Sequence, residues 1–134
     1  MKTRTIRQKV VFNATPEEVY DLLMQTDKHA AFTGAKAKIT NRIGGKFTVW
    51  DNYISGKNLL LDRGKKIIQE WWCTDLPEGY ITIVTYALIS QKNDTTLLEF
   101  SQTNVPANIY SSLAKGWEDF YWTPMREFLA DKKK

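Results

Sequence analysis

The 134-residue chain has a single cysteine, Cys73, and a single histidine, His29. A lone cysteine excludes an intrachain disulfide and suits a reducing compartment. One histidine with one cysteine cannot assemble a Cys/His zinc site, so no metal is expected. The opening residues, MKTRTIRQKV, contain no apolar run and do not read as a signal peptide. No segment approaches the roughly 20 apolar residues that a membrane span requires. There is no P-loop and no dinucleotide fingerprint. The IGGKF stretch at Ile43–Phe47 is short and falls at a strand turn, which is no cradle for phosphate. No cofactor and no membrane span are therefore expected, and the location expected is cytoplasmic. Net charge is also small: 19 Lys and Arg against 15 Asp and Glu give +4. The basic residues of RTIRQK and RGKKIIQ are scattered over expected strands rather than interleaved with aromatics, so no nucleic-acid interface is expected.

What the chain has in quantity is aromatic residues, five Trp among them. Its length fits one domain over residues 1–134, with 131–134 as a solvated basic tail. Ile6, Val10 and Phe12 alternate with polar residues, which reads as a strand. Thr15, Pro16 and Glu18 then form a capping box with proline at the first helical position. Val19, Leu22 and Leu23 follow on one helical face. Asp27 is placed to cap a second short helix, which Thr33–Ala35 ends.

Strand signals separated by short turns follow. KFTVW alternates. Gly56 inside DNYISGKNLLLD marks a bulge or a close approach. KKIIQEWWC, YITIVTYALI and TTLLEFSQT complete the set. Short connections imply antiparallel meander pairing. The chain closes with a helix over about 107–130. At about 100° per residue, Leu113, Trp117, Phe120, Tyr121, Pro124, Met125 and Phe128 share its apolar face. Trp122 lies at the edge of that stripe and is expected to be partly exposed. Pro124 is expected to bend the helix and to free the Phe120 carbonyl. The fold class expected is α+β: a curved antiparallel sheet of about six to seven strands gripping a long C-terminal helix, with two short helices after the first strand.

Several separate motifs resemble one family. GGKFTVWDNYISGKNLLLDRGKKIIQEWWCTDLPEGY, GWEDFYWTPMREFL after TNVP, the early ATPEEVYDLL and the AFTG element look like the C-terminal domain of activators of the heat-shock-protein-90 ATPase. More broadly, they resemble the START-like helix-grip superfamily. The resemblance implies the gripped-helix fold and a heat-shock-protein-90-type chaperone as a partner. The family's eukaryotic members carry a further N-terminal domain that makes much of the chaperone contact.

A curved sheet around one helix can leave a cavity suited to an apolar small molecule. The cavity candidates are Phe47, Val49, Trp71, Ile83 and Phe100 from strands, and Trp117, Phe120, Tyr121 and Met125 from the helix. Glu118 is the candidate polar group. Trp71 and Trp72 must face opposite sides of their strand, and so must Glu99 and Gln102. The function expected is a binding module, either for an apolar ligand or as a chaperone-ATPase accessory. The alternative is an enzyme acting in the same cavity, with Glu118 or Glu99 as its acid or base. No catalytic residue is otherwise expected: Cys73 reads as a packed thiol and His29 as a surface histidine.

Overall fold

The computed structural model describes residues 2–132. Among them, β1 (Thr3–Phe12) leads into α1 (Pro16–Met24) and α2 (Thr26–Thr33). Then come β2 (Lys38–Ile39), β3 (Lys46–Val49), β4 (Ile54–Asp62), β5 (Lys66–Cys73), β6 (Thr82–Gln91) and β7 (Thr95–Pro106). A 3-10 turn at Ala107–Ile109 opens the C-terminal rod: α3 (Tyr110–Trp117), a π turn (Glu118–Trp122) and α4 (Thr123–Lys132). The seven strands form one antiparallel sheet in the order β1-β7-β6-β5-β4-β3-β2. This is the expected fold class. The rod continues through Lys132, two residues into the segment read as a tail; 133–134 lie outside the described residues.

Local chemistry starts α1 as expected. The Glu18 N–H donates to Thr15 Oγ1 at 3.2 Å, and the Thr15 N–H donates to Glu18 Oε1 at 3.0 Å. In α2, the helix begins two residues earlier than an Asp27 cap implies. Gln25, not Asp27, stands at its N-cap and makes no side-chain cap. Gly34 ends it at φ 74, a left-handed position that glycine adopts without penalty.

Strand parity decides which residues meet the helix. Ile6, Val10, Phe12, Ile67, Trp71, Val84, Tyr86, Leu98 and Phe100 are all buried on that face. Gly56 is a close approach, not a bulge: it pairs with Phe47 on one side and Trp71 on the other. A Cβ there would sit 1.9 Å from the Glu70 carbonyl oxygen and 2.6 Å from the Phe47 ring. The register shift of β4 falls instead between Asn58 and Leu60.

The C-terminal rod departs from the simple 100° wheel. Pro124 has no N–H, so the Phe120 carbonyl loses its usual partner four residues on. The backbone responds with an i→i−5 bond from the Thr123 N–H to the Glu118 carbonyl. The wider turn absorbs one extra residue and shifts the buried stripe. Trp117, Tyr121, Trp122, Met125 and Leu129 are buried, whereas Phe120 is 56% exposed. Two expectations are corrected here. Trp122 is 1% exposed rather than partly open, and Phe120 sits at the rim rather than in the core stripe.

The wider turn also lets Trp117 and Trp122 lie side by side, stacked with centroids 5.6 Å apart. On a regular α-helix, residues five apart diverge by about 140°. Both indoles reach the sheet. Trp117 Nε1 donates to Gln102 Oε1 at 2.8 Å, and Trp122 Nε1 donates to Gln8 Oε1 at 2.7 Å. Gln102 passes the bond on to Thr82 Oγ1, and Gln8 returns one to the Ala114 carbonyl.

The Gly56 contacts yield a direct expectation. Gly56→Ala drives a methyl into a strand backbone and should destabilise the protein by about 3 kcal/mol, read from the urea midpoint at unchanged slope.

Candidate functional site

The sheet and rod do not close completely. A cavity of about 320 Å³, partly open to solvent, lies between the tip of the β3–β4 hairpin and the first half of the rod. Trp50, Tyr53 and Ile54 wall it on the hairpin side and Trp71 from β5. Ser112, Leu113, Gly116, Trp117, Phe120 and Tyr121 wall it on the helix side. A second void of about 10 Å³, the room that one water needs, lies deeper. Phe47, Val49, His29, Gln69 and Tyr86 contribute to its lining. Trp71 and Tyr121 wall both spaces.

The hairpin tip positions Trp50 by an unusual backbone. Trp50, Asp51 and Asn52 have φ values of 54, 54 and 72 in succession. Left-handed conformations are costly for side chains other than glycine, least so for Asn and Asp. In a continued strand, Trp50 would face away from its neighbour Val49. The left-handed run turns the chain at this point, and Trp50 walls the cavity with its ring 5.6 Å from Phe120. The tip is tied down at three places. Asp51 exchanges hydrogen bonds with the Lys36 backbone, the Tyr53 N–H donates to the Trp50 carbonyl, and the Tyr53 hydroxyl donates to Asp75 Oδ2.

Deeper in, His29 is 3% exposed, not a surface residue as its helix suggested. Its Nε2 lies 3.1 Å from the Tyr121 hydroxyl. Burial pushes its pKa down from 6.5 to about 4, a contact with its own backbone opposing weakly. The ring is therefore neutral at pH 7. Burial also pushes the Tyr121 phenol up. Among the described residues, His29 Nδ1 and Trp50 Nε1 are the buried side-chain nitrogens without a hydrogen-bond partner.

The candidate residues divide accordingly. Trp71, Trp117, Phe120 and Tyr121 meet at the larger cavity, and Phe47 and Val49 at the inner void. Phe100 lines neither; it packs 4.4 Å from Trp117 and 5.2 Å from Trp122. Met125 is wholly buried and also lines neither. Ile83 falls on the other parity of β6 from the buried Thr82 and Val84, so it lies on the sheet's outer face. Glu118 is turned outward. It accepts from Thr123 Oγ1 at 3.0 Å and from Arg126 at 3.4 Å. Glu99 is also on the outer face, 3.6 Å from Lys9 Nζ. Neither carboxylate enters the cavity, which leaves the enzymatic alternative without its acid and base. Cys73 is buried, and burial pushes its thiol up, as suits a packed residue. Among the described residues, no group of three His, Cys, Asp or Glu side chains is placed to hold a metal. Nor is any helix among them long and apolar enough to cross a membrane.

Trp50, Tyr53, Ile54, Ser112, Leu113 and Gly116 also wall the larger cavity and were not among the candidates from sequence. The available signal was Asp51-Asn52, a polar pair suited to a turn, directly after Trp50.

A seven-stranded sheet curved around one C-terminal helix, with two short helices after the first strand, places the chain among helix-grip folds. The family described as "Activator of Hsp90 ATPase homolog 1-like protein" matches residues 13–130, and the chain belongs to it. An "Activator of 90 kDa heat shock protein ATPase homolog" from Dictyostelium discoideum is 30% identical over 116 residues, covering 87% of this chain. The chain spans only 30% of that protein's length, and 37% and 26% of two other curated relatives. The crystal structure of an HSP90 activator from Plasmodium falciparum superposes with a TM-score of 0.89 at 21% identity, over 94% of this chain and 96% of that one. The solution structure of the Aha1 dimer from Colwellia psychrerythraea gives 0.81 at 17%, over 94% and 96%.

The buried histidine makes a pH prediction with a definite sign. The unfolded chain protonates His29 near 6.5 and the folded chain near 4, so the unfolded state binds more protons between these values. Its contribution to stability is fully present above pH 6.5 and is lost as pH falls toward 4. Urea titrations should show wild type losing roughly 2–3 kcal/mol more than His29→Gln across that window. Parallel pH profiles for the two proteins would contradict the assignment.

Proposed function

We propose that this chain is a cytoplasmic binding module that holds an apolar, aromatic small molecule between its C-terminal rod and the β3–β4 hairpin. Gly116 carries the reading. Glycine within a helix costs about 1 kcal/mol relative to alanine. Neither of the usual reasons for it applies here. Its φ is not left-handed. An added Cβ would meet only the Phe120 ring, at an ordinary 3.8 Å. What its missing side chain leaves is room in the cavity. Ser112, one turn earlier, continues the same low strip. The volume of about 320 Å³ suits a molecule of one to three rings.

The test uses N-phenyl-1-naphthylamine, an uncharged dye that brightens in apolar surroundings. Wild type should bind it at micromolar concentrations. Gly116→Leu fills the space and should abolish binding without lowering the melting temperature. Gly116→Ala should raise stability by about 0.5–1 kcal/mol. Undiminished dye binding by Gly116→Leu would overturn the reading.

A second reading, accessory to a heat-shock-protein-90-type ATPase, is favoured by the family and by the Dictyostelium relative's description. Its working surface is the outside of the domain, so it does not compete for the cavity. Mixing the domain with its own organism's chaperone should raise ATP turnover. Unchanged turnover with no binding at micromolar concentrations would rule it out.

A further inference from the structure

The cavity's described lining holds no charged side chain of either sign and is mostly aromatic. Six aromatic residues wall the cavity: Trp50, Tyr53, Trp71, Trp117, Phe120 and Tyr121. No Lys, Arg or His is among the described residues that wall it, although the chain as a whole is basic. Outside the lining, the exposed Asp75 carboxylate accepts a hydrogen bond from the Tyr53 hydroxyl. Aromatic faces carry negative quadrupole density. A phenol that donates to a carboxylate gains further electron density in its ring. An anion entering this space would shed its hydration with no positive charge to replace it, only neutral donors such as the Trp50 indole N–H. A cation would exchange water for ring faces, as quaternary ammonium groups do in aromatic cages.

We propose that the natural ligand of this cavity is an organic cation, an aromatic or quaternary ammonium molecule of one or two rings. This rests on the ligand reading above and narrows it. Ser112 Oγ, on the helix wall, is a further acceptor for a polar substituent of such a molecule. Trp50 and Phe120, in edge contact at 5.6 Å, stand together at the hairpin–helix side of the cage.

The test is calorimetric titration of the full chain at pH 7.5 with three probes of one shape. They are 1-methylquinolinium, its uncharged isostere 1-methylnaphthalene, and the anion 1-naphthoate. The cation should bind at least as tightly as the isostere, and about tenfold or more tighter than the anion. Asp75→Asn, whose amide oxygen can still accept from the Tyr53 hydroxyl, should weaken the cation about three- to tenfold more than it weakens 1-methylnaphthalene. A plain oily pocket gives the opposite order, because the uncharged isostere is far less hydrated. If 1-methylnaphthalene binds about tenfold tighter than the cation, the charge preference is overturned and the ligand cavity stands. If none of the three binds, both fall.

Discussion

The structure depends on a pair of indole–glutamine hydrogen bonds that fasten the C-terminal rod to the sheet. Trp117 reaches Gln102 on β7, and Trp122 reaches Gln8 on β1. All four groups are polar atoms in an otherwise apolar interface, so each pair must be complete. Leaving one buried partner unsatisfied costs about 1–3 kcal/mol. The bonds therefore fix the rod in register and rotation, which hydrophobic contact alone does not. They also require the π turn, since only a wider turn lets residues five apart face one sheet. Pro124, by removing an N–H, makes that turn the favourable local solution.

The cavity follows from this fastening. With Trp117 held by the sheet, the side of the rod that carries Ser112 and Gly116 is presented to the β3–β4 hairpin. Those residues have too little side chain to fill the gap. The hairpin supplies Trp50 and Tyr53 as the opposite wall, at the expense of three left-handed residues. Strain of this kind persists where surrounding structure over-determines it, and it clusters at binding sites. Here Asp51, the Tyr53 N–H and the Tyr53–Asp75 bond provide that restraint. Tyr121 separates the outer cavity from the inner void and touches His29, the chain's single histidine, held neutral by burial.

The fold was legible because its signals are periodic. Alternation gave the strands, the Thr15–Glu18 box gave the first helix, and the apolar stripe gave the rod. Parity put Trp71 and Trp72 on opposite faces, and the structure has Trp71 as the buried one. The site was less legible because it depends on departures from periodicity. A regular wheel places Phe120 in the core and Trp122 at its edge; the π turn exchanges them. Strand alternation sends Trp50 outward, and its positive φ turns the chain there. Short-range pattern says nothing of burial by a distant element, so His29 read as surface while the rod covers it through Tyr121. Gly116 carries no signal as one more small residue in a helix; its meaning is the space in front of it.

The claim that the rod is locked by Trp117 and Trp122 can be measured at the atoms concerned. Indole N–H hydrogen exchange, followed by NMR on the native protein, reports each bond separately. Both protons should exchange only through global unfolding, at the rate of the slowest β6–β7 amides. If either exchanges far faster than those amides, by local opening, the rod is not held as described.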